Sequence, residues 1–133
     1  MKKHIGFILT AAVIIGCADT KKQEKLLLDS VIAVHDKVMA NDGHLMNNKM
    51  LLDSLVKNKP TVKDSAIAYL KIVDGADSVM GDWMHNFDIE NKGKSHQEIM
   101  DYLNDQRKKI EAIDSQINQA IIQSDKYLNQ NKK

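Results

Sequence analysis

Residues 99–127 read IMDYLNDQRKKIEAIDSQINQAIIQSDKY, and the spacing within them decides the fold. Ile99, Leu103, Gln106, Ile110, Ile113, Ile117, Ala120, Ser124 and Tyr127 follow one another in strict alternation of four and three. That alternation keeps one seam of a helix turned toward a partner, which is the coiled-coil condition. Working outward, two more stripes obey it. One runs Leu27, Val31, Val34, Val38, Asn41, Leu45, Asn48, Leu52, Leu55; the other runs Val62, Ala66, Tyr69, Val73, Ala76, Met80, Trp83, Phe87. Further apolar residues flank the seams: Leu28, Ile32, Ile67, Leu70, Ile72, Val79, Ile121 and Leu128. A face that wide suits a bundle core better than a two-stranded zipper. The expected fold is all-α, an antiparallel up-down-up three-helix bundle with coiled-coil-like packing.

The punctuation between stripes agrees. Lys59-Pro60-Thr61 separates the first from the second, because the residue before a proline avoids the helical region. Asp88 to Lys94 carries Asn, Gly and charge without periodicity and reads as a loop. Ser95-His96-Gln97-Glu98 is a capping box, in which the serine and the glutamate satisfy each other's backbone amides. The expected helices are 24–57, 62–87 and 95–129, about 34, 26 and 35 residues long, or roughly 51, 39 and 52 Å. Asn41-Asp42-Gly43 could be a turn that splits the first helix. The seam runs unbroken from Val38 through Asn41 to Leu45, which favours one helix, kinked or loosened there, since an interior glycine costs only ~1 kcal/mol. Gly75 and Gly81 weaken the second helix in the same way. Asn41, Asn48, Gln106 and Ser124 stand where hydrocarbon would be more stable. Such residues lie at a bundle's rim, hydrogen-bond across it, or fix its register.

Composition narrows the class. With 133 residues there is room for one small domain. One cysteine excludes a disulfide framework, and one proline with six aromatics argues against a β-sandwich. A formal charge of +1 removes the main reason to expect a nucleic-acid partner.

The start of the chain is an address. Lys2, Lys3 and His4 precede an apolar run from Ile5 to Ile15. That run is about 11 residues, whereas a spanning helix needs roughly 20. A basic start, a short apolar run and small residues describe a secretory signal peptide. Ile14-Ile15-Gly16-Cys17 looks like a bacterial lipobox, which implies cleavage between Gly16 and Cys17 and fatty acylation (palmitate) of Cys17. Several acyl chains hold a protein on a bilayer stably, which one does not. Residues 1–16 are thus the expected signal peptide and 17–23 the lipidated cysteine and a short polar tether. The helical domain is 24–130. Removing residues 1–16 takes away two lysines and no acids, leaving 17 basic against 18 acidic side chains. Ala18 after the cysteine offers no inner-membrane retention signal, which favours the outer membrane, with the domain in the periplasm or at the surface.

One constellation could carry chemistry. His35-Met39, Met80-Met84 and His96-Met100 are i,i+4 pairs, and His85 follows Met84. Hairpins centred near Pro60 and Asn91 would bring all seven to one end of the bundle, beside Trp83 and Phe87. Met46 and Met50 fall more than a turn away. Thioether and imidazole ligands suit Cu(I), and Met/His pairs also ligate haem. The competing reading is that methionines fill core gaps beside aromatic rings. No phosphate loop, nucleophile elbow or His-Glu-x-x-His motif is present. Arg107-Lys108-Lys109 sits among Asp101, Asp105, Glu111 and Asp114 and reads as helix-surface pairing.

Three short segments carry a resemblance: His35-Asp36-Lys37-Val38-Met39, Asp82-Trp83-Met84-His85-Asn86-Phe87 and Gln106-Arg107-Lys108-Lys109-Ile110-Glu111. With them the mature chain resembles a family of small helical envelope lipoproteins often labelled "viral A-type inclusion protein". The label reflects shared heptads with a long coiled coil and implies neither a virus nor an inclusion body. No activity comes with the resemblance. The expected protein is a non-catalytic, lipid-anchored module of the bacterial envelope with a structural or protein-interaction role. Its expected partners are the membrane, through Cys17, and an unidentified envelope protein. The alternative is copper or haem binding through the His/Met layer.

Overall fold

In the computed structural model the backbone is described for residues 14–131 and side chains from Asp19 onward. Residues 1–13, the bulk of the expected signal peptide, lie outside the described residues, as do the last two lysines. The chain forms α1 (Ile14–Asn58), a single 3-10 turn (Pro60–Val62), α2 (Lys63–Asn86) and α3 (His96–Asn131). Among the described residues there is no strand, and no helix is long and apolar enough to cross a membrane.

Burial follows the seams. All nine α3 seam residues, from Ile99 to Tyr127, are buried. Val31, Val38, Leu45, Asn48 and Leu52 supply the α1 side, and Ala66, Val73, Ala76, Met80 and Trp83 the α2 side. Tyr69 stacks on Tyr127 with centroids 4.3 Å apart, and Phe87 closes the other end against Trp83 at 4.8 Å. Of the flanking residues, Ile121 and Leu128 are buried, but Ile72 and Val79 are 40% and 36% exposed. At 100° per residue they turn past the edge of the seam, and among the described residues no fourth helix meets them.

Cross-helix bonds give the directions. Glu24 meets His96 at 2.9 Å, Lys37 meets Asp114 at 2.6 Å and Lys59 Nζ donates to the Asn131 carbonyl at 2.8 Å. Both numbers of each pair rise together, so α1 and α3 are parallel. Against α1, α2 runs the other way: Lys49 pairs with Asp74 at 2.7 Å, and His35 lies 6.0 Å from the Trp83 ring. The up-down-up order is therefore present. Three of the polar seam residues join the parallel pair. Asn48 Nδ2 donates to Ser124 Oγ at 2.9 Å and to Asp125 Oδ1 at 2.7 Å, and Asn41 Nδ2 donates to Asn118 Oδ1 at 3.2 Å. Ser124, fully buried, passes its own proton to the Ala120 carbonyl at 2.7 Å.

Helix ends mostly fall within a residue or two of expectation, with one large departure. α1 is a single helix through Asn41-Asp42-Gly43, where a Cβ on Gly43 would meet no neighbour within 4 Å. It also begins ten residues before Glu24. The segment Ala18–Gln23, expected as a tether, is helical. Side-chain pairs one turn apart explain why: Gln23 Nε2 donates to Asp19 at 3.0 Å, Lys21 meets Glu24 at 2.9 Å and Lys25 meets Asp29 at 2.7 Å.

The α2–α3 connection is tied down by carboxylates. Asp88 accepts from the amides of Glu90 and Asn91 at 3.1 Å and from Lys94 Nζ at 2.6 Å. Asn91 (φ 49°) and Gly93 (φ 77°) take left-handed conformations that turn the chain. The capping box is present, with Ser95 donating through both N and Oγ to Glu98 at 2.7 Å. The Lys94 ammonium, then the Asn91 amide, hold Asp88 below the usual carboxylate range. The Ser95 amide and hydroxyl do the same for Glu98, and the His96 ring and Lys21 for Glu24.

Two outcomes follow from this packing. Ile113→Asp places an unpaired carboxylate at a position 5% exposed in the core, and should abolish most far-ultraviolet helicity at 25 °C. Full helicity would refute the seam. Carboxylates with depressed folded pKa values stabilise above their unfolded pKa and lose that contribution as pH falls through the folded values. Amide exchange at residues 88–98 should therefore accelerate in that acid range before exchange at Ile110 or Ile117 does.

Candidate functional site: the α2–α3 groove

Polar bridges between elements concentrate on α1, leaving the outer side of the α2–α3 contact open. A cavity of about 490 Å³ lies there. Trp83, Ile113, Ala112 and Val79 form its apolar surface; Asp82 and Asn86 from α2 and Gln106, Lys109 and Gln116 from α3 form its polar edge. The size falls in the range of ligand and peptide pockets, roughly 300–1,000 Å³.

One buried donor in this lining lacks a partner, and a neighbouring buried amide is weakly bonded. Trp83 is 7% exposed and its indole Nε1–H has no hydrogen-bond acceptor. Burying such a donor unpaired costs about 1–3 kcal/mol. Gln106, also 7% exposed, makes one long bond, from Nε2 to Asp105 at 3.4 Å. Charge around the cavity is uneven. Lys109 is neutralised by Asp105 at 2.6 Å, whereas Asp82 makes no ion pair among the described residues. The groove thus offers hydrocarbon, under-used hydrogen-bonding groups and one free carboxylate.

The seven His/Met residues are placed as follows. Met80 is in the core at 5% exposure. His35 is half-buried, its Nδ1 3.0 Å from Asp36 Oδ1 and its ring tilted 33° to Trp83. His96 is held by Glu24, and Met100 is half-buried on the next turn. Met39 and Met84 are 37% and 43% exposed, and His85 is exposed. The hairpins do bring His35 level with the Trp83 turn. Met80 and Met84, however, divide between core and solvent, and His96 and His35 are each engaged by a carboxylate. Among the described residues, no three His, Cys, Asp or Glu side chains are grouped to hold a metal ion. The backbone of Gly16 and Cys17, on either side of the expected cut, lies in α1, and the Cys17 side chain lies outside the described residues.

Reading the sequence placed Trp83, Ile113 and Gln106 in the seams but not the groove beside them. The available signal was the second stripe on α2, Ala68, Ile72, Gly75, Val79, which repeats the 4-3 spacing one step round from the seam.

No known family matches this chain. Comparison with characterised proteins and with solved structures likewise finds no match.

Trp83→Ala should cost roughly 3–5 kcal/mol in urea unfolding, as loss of a large buried aromatic does. A near-wild-type midpoint would mean that the ring is not core.

Proposed function

We propose that this protein is a lipid-anchored, non-catalytic interaction module of the bacterial envelope, which receives an amphipathic helix of a partner protein in its α2–α3 groove. The observation that carries the reading is the groove itself, with apolar walls beside an unbonded buried indole N–H. A three-helix bundle with an open seam accepts a fourth helix by the same ridge-and-groove packing that built it. The chemistry of the lining describes the partner: an apolar stripe for Val79, Ala112 and Ile113, and a cation for Asp82.

The anchoring half rests on the Ile14-Ile15-Gly16-Cys17 motif and on the resemblance to envelope lipoproteins. Palmitate attached to Cys17 would place the domain in the periplasm or at the cell surface, and Ala18 favours the outer membrane. A non-catalytic role agrees with the absence of any nucleophile or phosphate-loop motif from the sequence.

Two measurements test it. Radiolabelled palmitate should enter the wild-type protein and not Cys17→Ala; label in neither removes the anchor. A photo-reactive residue at Gln116, in the groove, should give one discrete cross-linked product in intact cells, lost on Val79→Glu. At Lys108, exposed and outside the cavity lining, the same probe should give none. Equal products from both positions would refute the groove as the docking face.

A further inference from the structure

An anchor at Cys17 would bear on how the bundle is mounted, because α1 runs without a break from that residue into the bundle. We propose that α1 is an unjointed post, running as one helix from the acylated Cys17 into the bundle. The domain would then stand end-on, with the Pro60–Val62 turn and the end of α3 as the pole facing away from the bilayer. The proposal rests on Cys17 being the lipidation site, and it concerns the segment that composition alone assigns to a short polar tether.

Four observations support it. α1 is continuous from Ile14 to Asn58. No glycine or proline occurs from Cys17 to Asp42, so the sequence offers no hinge residue in the first 25 positions after the anchor. The segment is cross-braced by the Asp19–Gln23, Lys21–Glu24 and Lys25–Asp29 pairs, each spanning one turn. Finally, Glu24, with 12% of its side chain exposed, bonds His96 at the start of α3, so lateral support reaches down to that level. Only the turns between Cys17 and Glu24, about 10 Å at 1.5 Å per residue, stand outside the bundle.

A free heptapeptide of this composition would not be helical, because nucleation is unfavourable. Here the nucleus already exists in the bundle. Each residue added toward Cys17 is a propagation step, and the turn-to-turn pairs add to it. A rigid post is therefore the physically expected continuation. From Cys17 to Asn58 it measures about 60 Å. A three-helix cross-section lying flat is only about 20–25 Å thick, given interaxial distances of 8–10 Å and helix diameters near 10–12 Å.

Neutron reflectometry on the full-length acylated protein in a supported bilayer reads this difference directly. The expected protein layer is about 60 Å thick. Lys21→Pro removes a backbone donor and clashes with the preceding turn, placing a joint between anchor and bundle. Its expected layer is thinner and broader, while its thermal midpoint and Trp83 emission stay at wild-type values because the core begins above it. A wild-type layer near 25 Å overturns the proposal, as does an undiminished 60 Å layer for Lys21→Pro. Absence of any layer, with no palmitate in the protein, is a different result: it removes the anchor, and the post with it.

Discussion

The parallel contact of α1 with α3 is the constraint on which the rest depends, and a small polar cluster sets its register. Asn48 donates to Ser124 and Asp125 in a seam otherwise built of hydrocarbon. Sliding α3 by one heptad in one direction would set Asn48 level with Ile117 and strand a buried amide; in the other it would set Asn48 level with Asn131 at the helix end, outside the core. Hydrophobic repeats tolerate such slips; a buried amide does not. Once that register holds, Lys37 reaches Asp114, His44 reaches Asp125 at 2.9 Å and Lys59 reaches the last turn of α3. α2 is then confined to the remaining face, held to α1 by Lys49 and Asp74. The Asp74 carboxylate keeps the Lys49 ammonium above its ordinary range.

The bundle was legible in the sequence because a 4-3 repeat admits few structures, and Pro60 and the capping box at Ser95 mark where it turns. The helical state of residues 18–23 was not legible in their composition, for a physical reason. Residues 18–23 are small and polar, as linkers are, but helicity at the end of an established helix depends on propagation and on charge spacing rather than on apolar content. Asp19, Lys21, Gln23 and Glu24 sit at the spacings that matter.

The His/Met layer illustrates a second limit. Hairpin centres fix height along the bundle, and His35 does stand beside Trp83. They do not fix azimuth. Met84 and His85 follow Trp83 by about 100° and 200° around the helix, which carries both away from the face the ring occupies. The groove escaped notice for the related reason that Val79 and Ala112 look like ordinary surface or flank positions until the neighbouring helix is placed.

With Cys17 acylated and α1 upright, as proposed, the length of α1 also implies a reach. Trp83 stands level with His35, eighteen residues along the helix from Cys17, an altitude of about 27 Å. A bilayer-embedded protein would need at least about eight fully extended residues, or a stalk as long as that stretch of α1, simply to arrive there. In that arrangement short juxtamembrane segments would be too low. On that proposal the dimensions would select for companions with an ectodomain of comparable stature, before any side chain of the groove takes part in recognition.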